Sequence, residues 1–340
     1  MRKKSPPPKA ALDSASETKA SERGVANART RRLRLRAAWM YFVEEMNQAD
    51  IANMLGVGRV TVVRLLADAR ERHEIKFTIQ SGLPECVALE RALEQRFGLT
   101  EAVVVPVSSP HADATEPISA ATGLYLSEFV RPGMKIGVGW GRTLLGSLQY
   151  IQESQATDLS VVSLLGGITK AKRFNPSEFA WRFSRLFQAE CFLMTAPAIV
   201  DAPATRQTLI DRCGLGEVFE RAKTLDAVLF SVGSMDASAT VYRDGFVSDG
   251  LRRAMVKRGA VGEVLFHFFD AKGRLIDHPI QDCVMAVPTE TLKVVPQRIL
   301  ASGGQDKAEA ILGALRLLEP SVLVTDELAA AKILGLDNCT

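Results

Sequence analysis

Cysteine, histidine and long apolar runs are scarce in this 340-residue chain, and each scarcity excludes a class of protein. The five cysteines (Cys86, Cys191, Cys213, Cys283, Cys339) are scattered, odd in number and free of C-x-x-C pairing, which argues against a disulfide framework or zinc site and for a reducing cytoplasm. The four histidines (His73, His111, His267, His278) show no metal-ligand spacing and no Ser/His/Asp order. They read as surface or core residues, and no metal or other cofactor is expected. No apolar run reaches the roughly 18 residues that span a bilayer, so no membrane association is expected. The basic start, Arg2 to Lys4, runs into Pro6, Pro7 and Pro8 rather than an apolar signal segment, and residues 1–28 read as a disordered basic tail.

A length of 340 residues suits two domains, one small and one of roughly 250 residues. A hydrophobic content of 47% with 24% charged residues is that of an ordinary globular body. The net charge of +3 hides an asymmetry: residues 1–76 carry 16 Lys/Arg against 9 Asp/Glu, a balance of +7, and the remainder is at −4.

The positive end also carries the strongest pattern. Leu33, Ala37, Met40 and Tyr41 recur at helical spacing with arginines between them. A short helix is predicted from Gln48 to Leu55, then a turn Gly56-Val57-Gly58, then a helix from Arg59 to Arg70 that buries Val62, Leu65, Leu66 and Ala69. Residues 29–80 therefore read as a helix-turn-helix head for double-stranded operator DNA, its second helix entering the major groove. Arg59 or Arg64 can fork onto guanine, and methyls of Thr61 or Val63 can meet thymine methyls. Gln48 starts the short helix and is a further candidate contact, while Arg31, Arg32, Arg34 and Arg36 suit phosphates. An ordinary three-helix unit with solvated arginines is the plainer alternative. Residues 75–80 (IKFTIQ) alternate as a wing strand or an exit linker.

From Ser81 to Thr340 helical segments alternate with apolar runs: EAVVVPV, KIGVGW, LSVVSLLGG, CFLMTA, LDAVLFSVG, EVLFHFF, RILASGG and SVLVTD. Several lack period-two alternation, the mark of strands buried on both faces of a mostly parallel α/β sheet. Ligands of such sheets sit beyond the carboxyl ends of the strands. There lie Gly139-Trp140-Gly141-Arg142-Thr143, Gly166-Gly167, Ser231-Val232-Gly233-Ser234 and Gly303-Gly304. The first matches neither G-x-G-x-x-G nor the Walker pattern, so it is a generic phosphate cradle or a tight turn, with a helix dipole starting near Arg142. Lys307 is a phosphate contact or an exposed helix lysine; Glu263 and Asp270 accept sugar hydroxyls or are solvated carboxylates.

Taken in order, QADIANMLGVGRVTVVRLLADARE, GVGWGRTL, SLLGG, GAVGEVLFHFFDAKG, ASGGQDKAEAILGAL and VTDELAA resemble the SorC/DeoR type of sugar-binding transcriptional regulators over nearly the whole chain. The resemblance implies a fold akin to ribose-phosphate isomerase and glucosamine-phosphate deaminase, a sugar or sugar-phosphate effector, and a homo-oligomer, dimer or tetramer, on palindromic operators. It assigns the effector phosphate to Gly139, Trp140, Gly141 and Thr143 with Lys307, and the rest of the pocket to Arg173, Asn175, Ser231, Gly233, Arg243, Glu263 and Asp270. Gly58 departs from the family's usual serine cap and Val63 from a small polar residue, the latter bearing on operator sequence. The alternative is a sugar-phosphate isomerase or deaminase using Glu263 or Asp270 as base, which gives the basic head no purpose.

Overall fold

The computed structural model describes residues 29–72, 74–75, 84–109, 112–153, 156–168, 175–243 and 245–337. The expected basic tail, the 76–80 part of the wing and Arg173 lie outside the described residues. The chain divides into two compact units, residues 1–80 and 81–340.

The described residues of the smaller unit form three helices: α1 (29–42), α2 (Gln48–Leu55) and α3 (Arg59–Glu71). Asn47 starts α2 by accepting the amides of Ala49 and Asp50 on its side chain. Gly56 ends it at φ +64°, where its amide reaches the carbonyls of Ala52 and Asn53. The chain then turns directly into α3, whose Val62, Leu65, Leu66 and Ala69 are all buried with Ala37, Met40 and Ile51. Arg34 departs from expectation. It is 5% exposed, and its guanidinium forks onto Glu74 at 2.5 and 2.6 Å, tying α1 to the chain beyond α3 instead of facing a phosphate.

The larger unit is built on a seven-stranded parallel sheet, in the order β1 (Glu101–Val105), β10 (Val322–Asp326), β9 (Gln297–Ala301), β5 (Ala227–Phe230), β2 (Lys135–Val138), β3 (Ser160–Ser163) and β4 (Glu190–Phe192). Every pairing in it is parallel. Its helices are α4 (Pro84–Phe97), α5 (Thr115–Phe129), α6 (Arg142–Ser147), α7 (Pro176–Leu186), α8 (Pro203–Arg212), α9 (Gly216–Ala222), α10 (Thr240–Arg243), α11 (Asp249–Lys257), α12 (Thr289–Lys293), α13 (Ala308–Leu318) and α14 (Glu327–Asp337). Alternate strand residues feed two separate cores. Ile136, Val161, Leu229 and Ile299 pack with α5, α6 and α7, whereas Val162, Val228, Leu300 and Leu323 pack with α4, α9, α13 and α14. Burial on both faces is why these strands are uninterrupted apolar runs.

One run departs from the expected pattern. EVLFHFF is not a single strand but the corner of a hairpin between β7 (Ala260–Val264) and β8 (His267–Asp270), in a small antiparallel sheet with β6 (Gly233–Ser234). Leu265 and Phe266 form the turn at φ +52° and +64°, a conformation normally left to glycine or asparagine, and so carry no turn signal in the sequence. Burial of both side chains, 2% and 1% exposed, offsets the strain.

The Arg34 fork sets a testable stability. Its hydrogen bonds hold the Glu74 carboxyl below the ordinary glutamate value of 4.5, so the stabilisation is complete above that pH and is lost as pH falls through the lowered folded value. Glu74→Gln should destabilise the small unit by about 1.5–3 kcal/mol. The measurement is amide hydrogen exchange in the full chain: α1 and α3 should exchange faster while the parallel sheet does not.

Candidate functional site

Strand order reverses between β2 and β5, with β3 and β4 on one side and β9 and β10 on the other. Open α/β sheets leave a crevice at such a point, and here a cavity of about 110 Å³ occupies it. Its walls are Trp140 to Thr143 after β2, Ser231 to Ser234 after β5, Ser238 to Val241 leading into α10, Glu263 of β7, and Asp306 and Lys307 after β9.

The β2 wall is shaped by backbone. Gly139 donates its amide to Leu229 at 2.8 Å, so it continues the sheet and has no N–H to offer an anion. Gly141 stands at φ +144°, and a Cβ there would lie 3.3 Å from the Ser231 side chain, so glycine lets the β2 and β5 loops close together. The helix that follows, α6, has six residues, which limits the dipole expected near Arg142. Arg142 is itself ion-paired with Asp113 at 3.5 Å. Thr143 is buried at 4% exposure and faces the cavity. Trp140 forms an aromatic wall against Phe246 and Phe266, with ring centroids 5.7 and 5.5 Å away.

The charged groups lie opposite. Glu263 accepts the Phe266 amide at 2.9 Å on Oε2, and burial pushes its carboxyl up to about 7 against the pull of that bond and of Lys307. Gly233 is its register partner, and a Cβ there would stand 2.3 Å from Glu263 Oε1. Lys307 is half-buried; loss of solvent lowers its pKa from the ordinary lysine value, and Arg142 lowers it further. Among the described residues its ammonium has no carboxylate within ion-pair distance. Asp326 stays outside the cavity lining but positions it, accepting the Gly304 amide at 2.6 Å and capping α14 through Leu328 and Ala329.

Other expected site residues are placed elsewhere. Gly166 and Gly167 donate their amides to Met285 and Ala196, so neither is a free anion donor. Asn175 caps α7 through the Ser177 amide and donates to Ile168; with Gly167 it borders a different hollow. Asp270 holds its own turn, accepting the amides of Lys272 and Arg274 and pairing with the Arg274 guanidinium at 2.7 Å. Arg243 is exposed on α10, whose Thr240 and Val241 reach the cavity. Ser238, Thr240 and Asp306 line the cavity and escaped the sequence reading; the density of small hydroxyls just after β5 was the available signal.

In the small unit, Arg31, Arg32, Arg59 and Arg64 are exposed, and Gln48 and Thr61 are half-buried. Val60 and Val63 on α3 are 83% and 47% exposed, so this helix shows methyl groups as well as arginines outward.

The Gly233 and Glu263 geometry predicts that Gly233→Ala forces the buried carboxylate off its bond to Phe266. Urea unfolding of the full chain should show a loss of about 1–3 kcal/mol, the range for overpacking a filled interior. An unchanged midpoint would show that Glu263 has room to move.

Comparison with known proteins agrees with this architecture. Residues 82–335 match a family described as a putative sugar-binding domain. The chain is 30% identical over 309 residues to the erythritol catabolism regulatory protein EryD of Brucella abortus, covering 90% of this chain and 97% of that protein. It is 30% identical over 305 residues to the deoxyribonucleoside regulator of Bacillus subtilis, covering 89% and 97%. The full-length sorbitol operon regulator SorC from Klebsiella pneumoniae superposes with a TM-score of 0.67 at 27% identity, over 89% of this chain and 98% of that one. These relatives are named as regulators, and the isomerase or deaminase alternative finds no support among them. The chain belongs to the SorC/DeoR-type family of sugar-binding transcriptional regulators.

Proposed function

We propose that this chain is a DNA-binding regulator of carbohydrate metabolism, not an enzyme, whose grip on operator DNA is set by a phosphorylated sugar or polyol in the cavity at the β2–β5 crevice. The observation that carries the effector reading is Lys307: a half-buried ammonium with no carboxylate partner among the described residues, on a wall of serine and threonine hydroxyls. A phosphate dianion supplies the missing charge and accepts from Thr143, Ser231 and the ammonium. Glu263 and Asp306 are left for the effector's hydroxyls, and the Trp140 face for its carbon skeleton.

In the small unit, α3 is the reading helix. Arg59 and Arg64 take guanine, the exposed methyls of Val60 and Val63 meet thymine, and Arg31 and Arg32 take phosphates. Gln48 at the start of α2 is a backbone contact. Because one helix covers only a half-site, the regulator works as a homo-oligomer on a palindromic operator. A cytoplasmic site of action accords with scattered, unpaired cysteines, and no helix among the described residues is long and apolar enough to cross a membrane.

Two measurements test this. Arg59→Ala and Arg64→Ala should each weaken operator binding by about 1–3 kcal/mol if bidentate to guanine, with little change on unrelated DNA; equal losses on both would make them phosphate contacts. Calorimetry against sugar phosphates and their free sugars should favour the phosphates, and Lys307→Ala should narrow the difference. Glu263 adds a pH signature. A phosphate monoester gains its second charge near pH 6, at about its second pKa, while Glu263 ionises around 7 and then repels it. Affinity should rise from pH 5 to the interval between those values and fall toward pH 8, and Glu263→Gln should abolish the fall.

A further inference from the structure

The solvent side of α1 carries a row that neither the effector cavity nor the reading helix uses. Leu35, Trp39 and Val43 are 39%, 58% and 56% exposed, unusual for residues this large. They are four residues apart, so they form one ridge along the helix, about 12 Å long at 1.5 Å per residue. Val43 stays on this ridge because its amide still bonds to the Trp39 carbonyl at 2.9 Å. The opposite side of α1 is committed to the unit's core through Ala37, Ala38 and Met40. The helix is thus apolar on two sides, and among the described residues of the small unit nothing covers the second.

We propose that α1 of one copy of this chain packs antiparallel against α1 of a second copy, across a two-fold axis passing beside Trp39. The row's apolar side chains match in this arrangement, and in a parallel two-fold as well, so charge decides between the two. Trp39 is its midpoint, so a two-fold through it sets Leu35 against Val43 of the partner subunit and Trp39 against its own counterpart, as an isologous contact requires. Charge selects the same orientation. Arg36 lies in the first half of the row with no ion-pair partner among the described residues, whereas Glu44 and Glu45 follow its end, both exposed. Antiparallel pairing brings Arg36 within a helical turn of Glu44 and Glu45 of the partner subunit, and the symmetry repeats the attraction on the other side. Parallel pairing would keep Arg36 about two helical turns from Glu44 and Glu45 of the partner subunit, so these opposite charges could not meet. Glu44 already orients the Trp39 ring by accepting its indole N–H at 3.0 Å.

Three apolar side chains per copy cover far less than the roughly 800 Å² per partner of a stable interface. The contact therefore does not assemble the protein. It forms between heads already held close, and so rests on the homo-oligomer proposed above; its effect is to fix the spacing and antiparallel disposition of two α3 helices before DNA is met, lowering the ordering cost of binding.

Thiol cross-linking in the full chain tests it. Trp39→Cys, Leu35→Cys, Val43→Cys and Met54→Cys, all at exposed positions, are treated with a short bifunctional thiol reagent, the wild type setting the background from its own cysteines. Trp39→Cys should cross-link to itself about ten-fold faster than Met54→Cys, by the effective concentration the two-fold imposes. Leu35→Cys mixed with Val43→Cys should cross-link faster than either alone. Cross-linking of Leu35→Cys to itself at the Trp39→Cys rate would mean parallel helices and overturn the proposal. So would a Trp39→Cys rate no higher than that of Met54→Cys in a protein that sediments as an oligomer, with α1 then covered by something other than its own copy. Sedimentation as a monomer overturns the oligomer and this contact together.

Discussion

A buried carboxylate accepting one backbone amide holds the larger unit's functional end in shape. Glu263 takes the Phe266 N–H at 2.9 Å inside a nearly dry hairpin. That bond secures a turn whose two central residues, Leu265 and Phe266, sit in the left-handed region. The turn sends Phe266 beneath Trp140, and Trp140 is the aromatic wall of the cavity. On its other side the same carboxylate crowds position 233, where any side chain would have to displace Glu263 Oε1. Its second oxygen and Lys307 then face one small volume. A carboxyl with a pKa of about 7 is costly to bury, and its retention at the crevice accords with a polar ligand sharing the site.

The architecture was legible because it rests on periodicity. Val62, Leu65, Leu66 and Ala69 were read as one buried helical face and are buried. The apolar runs were read as strands covered on both faces, and Val161 and Val162 go to opposite cores as that reading requires. Failures occurred where one residue's partner is distant in sequence. Arg34 looked like its neighbouring arginines until Glu74, forty residues on, claimed it. The 263–269 run hid a turn because its turn residues are large and apolar.

The cavity was partly legible for the same reason. The loops after β2, β5 and β9 meet because those strands are neighbours, and strand-end position picked out Trp140, Gly141, Arg142, Thr143, Ser231, Gly233 and Lys307. Which glycines have free amides was not readable. Gly139, Gly166 and Gly167 look like anion donors, yet each is hydrogen-bonded to a backbone carbonyl. The side-chain donors that face the cavity are Lys307 and the hydroxyls of Thr143, Ser231, Ser238 and Thr240. Asp270 and Asn175 similarly spend their polar atoms on a turn and a helix start.

An effector regulates only if it binds the DNA-bound and DNA-free arrangements with different affinity, and the resulting factor is the same read from either ligand. The most direct test is therefore the affinity of the full chain for its own upstream DNA, by fluorescence anisotropy, with and without each member of a sugar-phosphate panel. At least one phosphorylated sugar or polyol should shift the dissociation constant by about five-fold or more, the lower end of ordinary coupling. The corresponding free sugar should do so much less, and Lys307→Ala should lose most of the shift while binding DNA normally by itself. A shift of equal size from the free sugar, or a full shift in Lys307→Ala, would contradict that expectation.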